Sequence, residues 1–244
     1  MNRNPGRPEP PAPAAVYRLL LKAYGPQGWW PVTPVAGTRP RYRPGFSGRL
    51  TERQRLEVCL GAILTQNTNW GNVEKAMSRL HGAGIRDLPD FLAVPQRRLE
   101  GLIRSSGYFR QKAKKLKAFV RRLRRCGGGV GEWLAGDLAA RRQELLGLYG
   151  IGPETADSIL LYAAGRPAFV VDAYTVRIGR RVGWFSCPTY AGAQAYLTRR
   201  LPADPVLYNE LHALLVFLAK DHCRKNPVCA GCPLKEVCRH GRAH

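Results

Sequence analysis

The chain has 244 residues, and its 39 Lys and Arg residues outnumber 17 Asp and Glu residues, which gives a formal net charge of +22. A polyanionic partner relieves self-repulsion of this size, with nucleic acid the first candidate and an anionic membrane surface the second. No apolar run approaches the ~20 residues that a membrane-spanning helix needs. No apolar segment typical of a signal peptide follows the N-terminus, so we expect a cytoplasmic protein that does not enter a membrane.

In chain order, the sequence begins with a Pro-rich stretch, residues 1–14, which predicts a disordered tail. Beyond it, apolar residues recur three and four positions apart, and Gly or Pro stands at most junctions, as expected of short connected helices. Thr51 and Gln54 resemble a capping box that opens the first long helix. No segment alternates as a β-strand does, so we predict an all-α chain. The predicted helices cover about 16–24, 52–66, 69–81, 95–105, 109–125, 131–148, 153–164, 172–182, 189–200 and 205–221.

Two of these helices meet at Gly150-Ile151-Gly152, the pattern of a helix-hairpin-helix. Glycine permits backbone conformations that other residues avoid, and it lets a ligand approach the chain closely. The N–H groups at the start of the following helix, with the positive end of its dipole behind them, form an anion site that suits a DNA phosphate. The same three residues are also compatible with an ordinary Gly-containing turn between helices.

A carboxylate, Asp172, follows the hairpin by about twenty residues and stands at the start of a cationic helix. A carboxylate in this place can simply cap the helix. However, GIGPETADSIL at 150–160 followed by VDAYTVR at 171–177 resembles the helix-hairpin-helix/Gly-Pro-Asp superfamily of DNA glycosylases, over about residues 51–238. The resemblance implies that Asp172 is the catalytic carboxylate and that Arg177 helps to bind DNA.

The same resemblance implies a two-lobed, all-α fold. A six-helix domain, residues 51–167, would carry the hairpin, and a second helical domain would combine residues 15–50 with 168–244. The protein would act as a monomer on double-stranded DNA that contains a damaged base, extruding the base and hydrolysing its N-glycosidic bond. It would be a base-excision-repair enzyme of the prokaryotic cytoplasm, associated with the nucleoid.

Seven cysteines are present, and four of them fall within residues 223–238, whereas Cys59, Cys126 and Cys187 are isolated. In a reducing compartment, clustered thiols indicate a metal or cluster site. The spacing Cys-x5-Cys-x2-Cys-x5-Cys allows either a zinc ion or a [4Fe–4S] cluster. The loop resembles that of endonuclease III and adenine glycosylases, which implies a [4Fe–4S] cluster, although the first gap in those proteins is usually six residues rather than five. The ligands would be Cys223, Cys229, Cys232 and Cys238.

Two loops resemble the parts of the superfamily that enter the duplex. The segment ILTQNTNW places Gln66 where the superfamily inserts an amide into the gap left by the extruded base, and an amide can both donate and accept hydrogen bonds there. The segment SGYFRQKAKKL places Tyr108 at the position of an apolar wedge, with Lys112 and Lys115 as candidates for contacts to flanking phosphates. For Tyr108, a place in the core is an equal alternative.

Tryptophans narrow the resemblance to one branch. GWWP at 28–31, together with LTQNTNW, SGYFRQKAK and GIGPETAD, resembles the endonuclease III-like 3-methyladenine DNA glycosylases. This resemblance implies that Trp30 and Trp70 stack on the extruded base. Purines alkylated at N3 or N7 carry positive charge, and an indole face attracts a cation by roughly 0.5–2 kcal/mol. Tandem tryptophans in an irregular segment can also be anchors of the core.

Glu154 stands where bifunctional endonuclease III enzymes carry the lysine that attacks the sugar as an amine. In the alternative alignment, with relatives that keep a lysine and a glutamate in this turn, Pro153 replaces the lysine. Either alignment removes the amine, so we predict a monofunctional glycosylase without AP lyase activity, in which Asp172 activates water and stabilises an oxocarbenium-like sugar. Glu154 would either take part in catalysis or cap its helix, and near Asp172 it would raise one of the two pKa values.

Three other functions remain compatible with the sequence. These are an endonuclease III-type glycosylase and AP lyase acting on oxidised pyrimidines, a catalytically weak DNA-binding relative, and a zinc-stabilised structural protein. The missing lysine and the tryptophans disfavour the first. Asp172 disfavours the second, because binding to phosphates requires no acid.

Overall fold

A computed structural model describes residues 9–45 and 48–243. Within these residues the chain is helical, and its only β pairing is an isolated bridge between Val32 and Arg41. The all-α prediction is confirmed. The α-helices are α1 (Pro13–Tyr24), α2 (Glu52–Leu64), α3 (Trp70–Gly82), α4 (Leu88–Ala93), α5 (Gln96–Leu102), α6 (Phe109–Arg125), α7 (Val130–Trp133), α8 (Leu138–Leu146), α9 (Pro153–Ser158), α10 (Ala173–Val182), α11 (Tyr190–Thr198), α12 (Pro205–Asp221) and α13 (Arg239–Arg242).

The chain divides into two compact units. The terminal unit combines the N-terminal residues as far as Gln27 with the residues from Phe169 onward, and the hairpin unit spans Gly28–Ala168. Residues 28–50 therefore lie with the hairpin, which corrects the predicted assignment of this segment to the other lobe. The reason is a buried anchor, because the carboxylate of Glu57 in α2 accepts hydrogen bonds from Thr33.

Helix α2 forms the centre of the hairpin unit, and every residue from Leu56 to Leu64 is buried. The predicted capping box of Thr51 and Gln54 opens it. Helix α6 packs against α2 through an apolar face and presents a strongly basic face to solvent. Helix α9 continues as a π-helical turn, Ile159–Ala163, which also packs on α2. These contacts fix the hairpin and the two loops that flank it to one core.

In the terminal unit, helix α12 is the central element and packs against both α1 and α10. Asp172 is the N-cap of α10, and Gly183 ends the helix with a φ of +104°, a left-handed conformation that suits glycine. Helix α13 begins directly after Cys238. None of the described helices is long and apolar enough to cross a membrane.

Helix boundaries differ from prediction in three places. Of the predicted tail, residues 1–8 lie outside the described residues, and α1 already begins at Pro13, because Pro suits the first turn of a helix. The predicted helix 131–148 is divided into α7 and α8 at Gly136, which has a φ of +85°. Helix α4 was not predicted, although the capping box of Asp87 and Asp90 signals it.

Candidate active site and nucleic-acid interface

The hairpin turn has the features of an anion site. Gly150 adopts a φ of +76°, and Ile151 is buried and anchors the turn. Gly152 is the N-cap of α9, and no described side chain caps this helix start. Pro153 has no N–H, so an external anion such as a phosphate would be bound by the N–H groups that follow it in the first turn of α9, with the positive end of the dipole behind them.

Gln66 lies on this turn and is held there by three hydrogen bonds. Its Nε2 donates to the carbonyl oxygen of Gly150 at 3.0 Å and to Oγ1 of Thr155 at 2.9 Å. Its Oε1 accepts from Nζ of Lys115 at 2.5 Å. The methylene groups of Lys115 occupy the space that a Cβ atom would need at Gly150, so glycine is required here for packing as well as for its φ. The predicted inserting amide and the hairpin turn thus form one network.

Tyr108 has the exposure expected of a wedge. It is 67% exposed, which contradicts the alternative of a core aromatic. It is the N-cap of α6 with a φ of +45°, and Asn67, next to Gln66, has a φ of +53°. Left-handed backbone is uncommon for residues other than glycine, and such strain concentrates at functional sites.

Lys112 does not contact phosphate, so this prediction is wrong. The side chain is 2% exposed, and its Nζ donates to the carbonyl oxygens of Leu64 at 2.8 Å and Ser106 at 2.5 Å. Burial lowers the pKa of Lys112 to about 8. The reason is its place on the apolar face of α6, which points at the core. Lys112 instead ties the end of α2, just before Gln66, to the loop that carries Tyr108.

Trp29, Trp30 and Trp70 form a half-buried aromatic cluster in the hairpin unit. The ring centroids of Trp30 and Trp70 lie 5.3 Å apart with an interplanar angle of 89°, so the two indoles pack edge to face and do not form parallel walls around a base. Trp29 lies 5.5 Å from Trp30 and 5.9 Å from Trp70, and the buried ring of Tyr162 lies 5.1 Å from Trp30. The cluster offers indole faces in more than one orientation.

Helix α2 supports this cluster at two positions. Trp30 rests on α2 at Gly61, where a Cβ atom would lie 3.4 Å from the indole nitrogen. One turn earlier, the carboxylate of Glu57 accepts hydrogen bonds from the Thr33 N–H at 2.9 and 3.1 Å and from its hydroxyl at 2.7 Å. Burial raises the pKa of Glu57 to about 7. The segment that follows the tandem tryptophans is therefore fastened to the core by a titratable group.

We expect Glu57→Gln to change how stability depends on pH. Because the pKa of Glu57 is raised from 4.5 to about 7 in the folded state, its contribution is fully present below pH 4.5 and is lost as pH rises through about 7. The free energy of unfolding of the wild type should therefore fall relative to Glu57→Gln, by up to about 3 kcal/mol between roughly pH 5 and pH 8. Urea unfolding across this range measures the difference. Glu52→Gln, at an exposed site of the same helix, is the control, and a Glu57→Gln difference that does not vary with pH would contradict the assignment.

The two carboxylate oxygens of Asp172 have different partners. Its Oδ1 accepts hydrogen bonds from the N–H of Thr175 at 2.7 Å and from its hydroxyl at 2.9 Å, so the residue does cap α10. Its Oδ2 lies 3.6 Å from Nε2 of His212 in α12, and the side chain is 16% exposed. Burial raises the pKa of Asp172, but His212 and Thr175 outweigh it, and the pKa lies below its ordinary value. The result is an ionised, largely buried carboxylate whose second oxygen faces His212.

Glu154 is exposed in the first turn of α9, where the helix dipole favours a carboxylate. It belongs to the hairpin unit, whereas Asp172 belongs to the terminal unit. The predicted rise in one of the two pKa values is not found at Asp172, whose pKa is lowered by its partners in the terminal unit.

The four clustered cysteines line one cavity beside α10 and α12. In the part of the chain that the structure describes, no group of three His, Cys, Asp or Glu side chains has the arrangement of a metal-ion site. Burial raises the pKa of Cys232 and Cys238, and the charges of the other cysteines raise it further. A metal ion or cluster bound here would have to displace the protons of these thiols.

Two arginines of α10 hold the cysteine loop, residues 223–238. Arg177 donates through Nε to the carbonyl oxygen of Cys223 at 2.8 Å, and Arg181 donates to Sγ of Cys223 at 3.2 Å and to the carbonyl oxygens of Arg224 and Lys225 at 2.6 and 2.8 Å. Arg177 was predicted to bind DNA. Its guanidinium anchors this loop, because it lies on the turn of α10 that faces the loop, and its contact with DNA stays a prediction.

Residues 60–203 match the family of HhH-GPD superfamily base excision DNA repair proteins. The chain belongs to this superfamily. The match contains both the hairpin turn and Asp172, the two features on which the predicted resemblance rested.

One relative of this HhH-GPD chain is a protein of Methanocaldococcus jannaschii described as a DNA repair glycosylase. The two sequences are 39% identical over 226 residues, and this alignment covers 91% of this chain and 94% of that protein. A solved structure of a trapped endonuclease III–DNA covalent intermediate has 27% identity and a TM-score of 0.66, covering 80% of this chain and 87% of that chain. A 3-methyladenine DNA glycosylase of H. pylori bound to 1,N6-ethenoadenine shares the fold, with 23% identity, a TM-score of 0.68, and coverage of 86% and 98%. The chain is a DNA glycosylase, and its partner is DNA.

Sequence reasoning missed His212 and Glu57 of this HhH-GPD chain. His212 lies forty residues beyond Asp172, on the apolar face of α12, and nothing local links the two. Glu57 interrupts the apolar run of α2, and a charged residue within a buried helix was a signal that could have found it.

Proposed function

We propose that this chain is a monofunctional DNA glycosylase that releases cationic alkylated purines such as 3-methyladenine. The observation that supports it best is the aromatic cluster of Trp29, Trp30 and Trp70. Trp70 opens α3 four residues after Gln66, so the cluster lies close to the loop proposed to enter the duplex. Trp30 and Trp70 would contact the extruded base through single indole faces, since their rings are perpendicular.

The substrate class follows from charge. A purine alkylated at N3 or N7 is a cation, and a partly desolvated indole attracts it by roughly 0.5–2 kcal/mol. When the glycosidic bond breaks, its electron pair passes to the base, which leaves neutral. Such a leaving group needs little help from a general acid, so aromatic rings that contact the base and a single carboxylate suffice.

Asp172 would supply that carboxylate. As the bond to the base weakens, positive charge develops on the sugar, and the anionic Oδ2 stabilises it. Water then attacks C1′, and Oδ2 accepts its proton. His212 keeps Asp172 ionised for this purpose, and the cap through Thr175 fixes the orientation of the carboxylate. Glu154 would act in the hairpin, as a helix cap or as a second catalytic acid.

The cysteine loop would hold a [4Fe–4S] cluster, since its four thiols line one cavity. Cys223, Cys229, Cys232 and Cys238 would hold it. When bound, iron neutralises the thiolates and gives the loop a fold that the few apolar side chains there cannot give it alone.

A second candidate activity, AP lyase, is favoured by one observation. The hairpin residues themselves carry no lysine, but Lys115 brings its amine to the turn, against Gly150 and 2.5 Å from Gln66. An amine in this region could form a Schiff base with an opened sugar.

The deciding experiment uses duplexes that contain 7-methylguanine or 3-methyladenine, the neutral 1,N6-ethenoadenine, or thymine glycol. Base release is measured together with strand breaks, with and without alkali, and with borohydride. We expect release of the cationic purines, strand breaks only after alkali, and no borohydride-trapped adduct. Trp30→Leu should slow release of the cationic bases more than that of ethenoadenine, by roughly twofold to thirtyfold, because only the cations lose the attraction to the indole.

Preferred release of thymine glycol would contradict the substrate class. A trapped adduct that disappears in Lys115→Gln would establish an AP lyase that uses Lys115, and one that persists in this variant would establish a lyase that uses another amine.

A separate prediction concerns His212. Because His212 lowers the pKa of Asp172 against the effect of burial, His212→Gln should raise that pKa and move the acidic limb of the pH–rate profile to higher pH. Thr175→Ser keeps the hydroxyl donor and should leave the profile unchanged. An equal loss of rate at every pH in His212→Gln would indicate a purely structural role.

A further inference from the structure

A cationic groove lies along α10 in the terminal unit, apart from the hairpin. Its volume is about 880 Å³. Ala173 and Val176 form part of its floor, and Arg177, Arg180, Arg181 and Arg239 line it. No Asp or Glu is among its lining residues, so nothing within the α10 groove neutralises the four guanidinium groups.

The four arginines differ in whether their side chains contact the rest of the protein. Arg177 and Arg181 donate to the cysteine loop. Arg180 and Arg239 are exposed, and in the described ranges neither side chain forms a hydrogen bond or an ion pair with another residue. The guanidinium of Arg239 lies beside Gly183 at the end of α10, where a side chain would displace it. The guanidinium groups of Arg180 and Arg239 therefore lie in one groove without a partner among the described residues.

We propose that the α10 groove binds the phosphodiester backbone of DNA through Arg180 and Arg239. The planar guanidinium presents parallel N–H groups that match two oxygens of a phosphate. The groove starts at Ala173, directly after Asp172, and Arg180 lies about 10 Å further along the helix, a length close to three nucleotides of one B-DNA strand. The groove thus extends the contact from the reacting sugar to phosphates several nucleotides away. Contacts to phosphates in the groove contribute affinity and register but carry no sequence information.

This proposal rests on the DNA-binding part of the proposed function and not on the lesion class. It is therefore tested with undamaged DNA. The full-length protein with its cofactor is titrated against a fluorescein-labelled duplex, and anisotropy gives the association constant at several sodium chloride concentrations. The variants are Arg180→Ala, Arg239→Ala and the double substitution. Arg199→Ala is the matched control, since Arg199 is an exposed arginine of the same unit outside the groove.

Each groove variant should reduce the slope of log association constant against log salt by about one, and the double variant by about two. Arg199→Ala, which removes the same charge, should leave the slope near that of the wild type. Arg180→Ala is the decisive variant. Arg239 directly follows Cys238, so replacing Arg239 can also disturb the cysteine loop. Equal slopes for Arg180→Ala, the control and the wild type would overturn the proposal in favour of an acidic protein partner. Failure to release alkylated bases would affect the proposed lesion class alone.

Discussion

Replacing Asp172 with Asn should slow base release by roughly a hundredfold to ten-thousandfold while leaving the fold and DNA affinity almost unchanged. Asparagine caps a helix as well as aspartate, so Thr175 keeps its acceptor and α10 keeps its start. What is lost is the negative charge on Oδ2, the oxygen that faces His212 and solvent. Single-turnover release of alkylated base, with the affinity for the same duplex, separates the two effects.

Asp204→Asn is a close control for this variant. Asp204 caps α12 in the same unit, through a hydrogen bond from the N–H of Val206 at 2.8 Å. The Asp204→Asn substitution removes the same charge at the same kind of position, a helix N-cap. We expect this variant to have wild-type activity. If Asp172→Asn were as active as Asp204→Asn, Asp172 would be a helix cap without a catalytic role.

Replacing Cys232 with Ala should abolish binding of the proposed [4Fe–4S] cluster and unfold the cysteine loop. Binding of a structural metal is itself folding free energy, about 10–16 kcal/mol in small zinc domains, so loss of one ligand is far more costly than loss of an ordinary buried side chain. Arg177 and Arg181 would lose their acceptors in the loop, and α13 would lose its attachment at Cys238. Iron content, visible absorbance and the thermal unfolding midpoint measure these effects.

Cys187→Ala is the control for this substitution, because Cys187 is an exposed cysteine of the same unit that lies outside the cavity of the four cysteines. Its iron content and unfolding midpoint should equal those of the wild type. Purified wild-type protein that contains stoichiometric zinc and no iron would contradict the [4Fe–4S] assignment while keeping the four ligands.

Local patterns in the sequence predicted the helices and the hairpin well, because both depend on neighbouring residues. The glycines at 150 and 152 and the capping box at Thr51 act over a few positions. Lys112 was misjudged for a different reason. A lysine in a basic helix reads as solvent-exposed, although its spacing from Leu116 and Phe119 already placed it on the apolar face.

Contacts between distant segments were beyond local reasoning. The approach of His212 to Asp172 depends on how α12 packs on α10. The position of Trp30 depends on its packing against Gly61 in α2. The perpendicular packing of Trp30 and Trp70 likewise follows from tertiary structure, so a resemblance could name both residues but not their orientation.

The network around Gln66 has a consequence for how the protein searches DNA. If Gln66 fills the gap left by an extruded base, it must first give up its hydrogen bonds to Gly150, Thr155 and Lys115. Hydrogen bonds to the orphaned base replace them, so the exchange is close to neutral in free energy. Insertion then supplies little driving force of its own, and the stability of each base pair decides whether it opens. On a well-paired duplex, Gln66 would keep its hydrogen bonds within the protein and no base would be extruded. Only a base pair already weakened by damage would stay open long enough for excision.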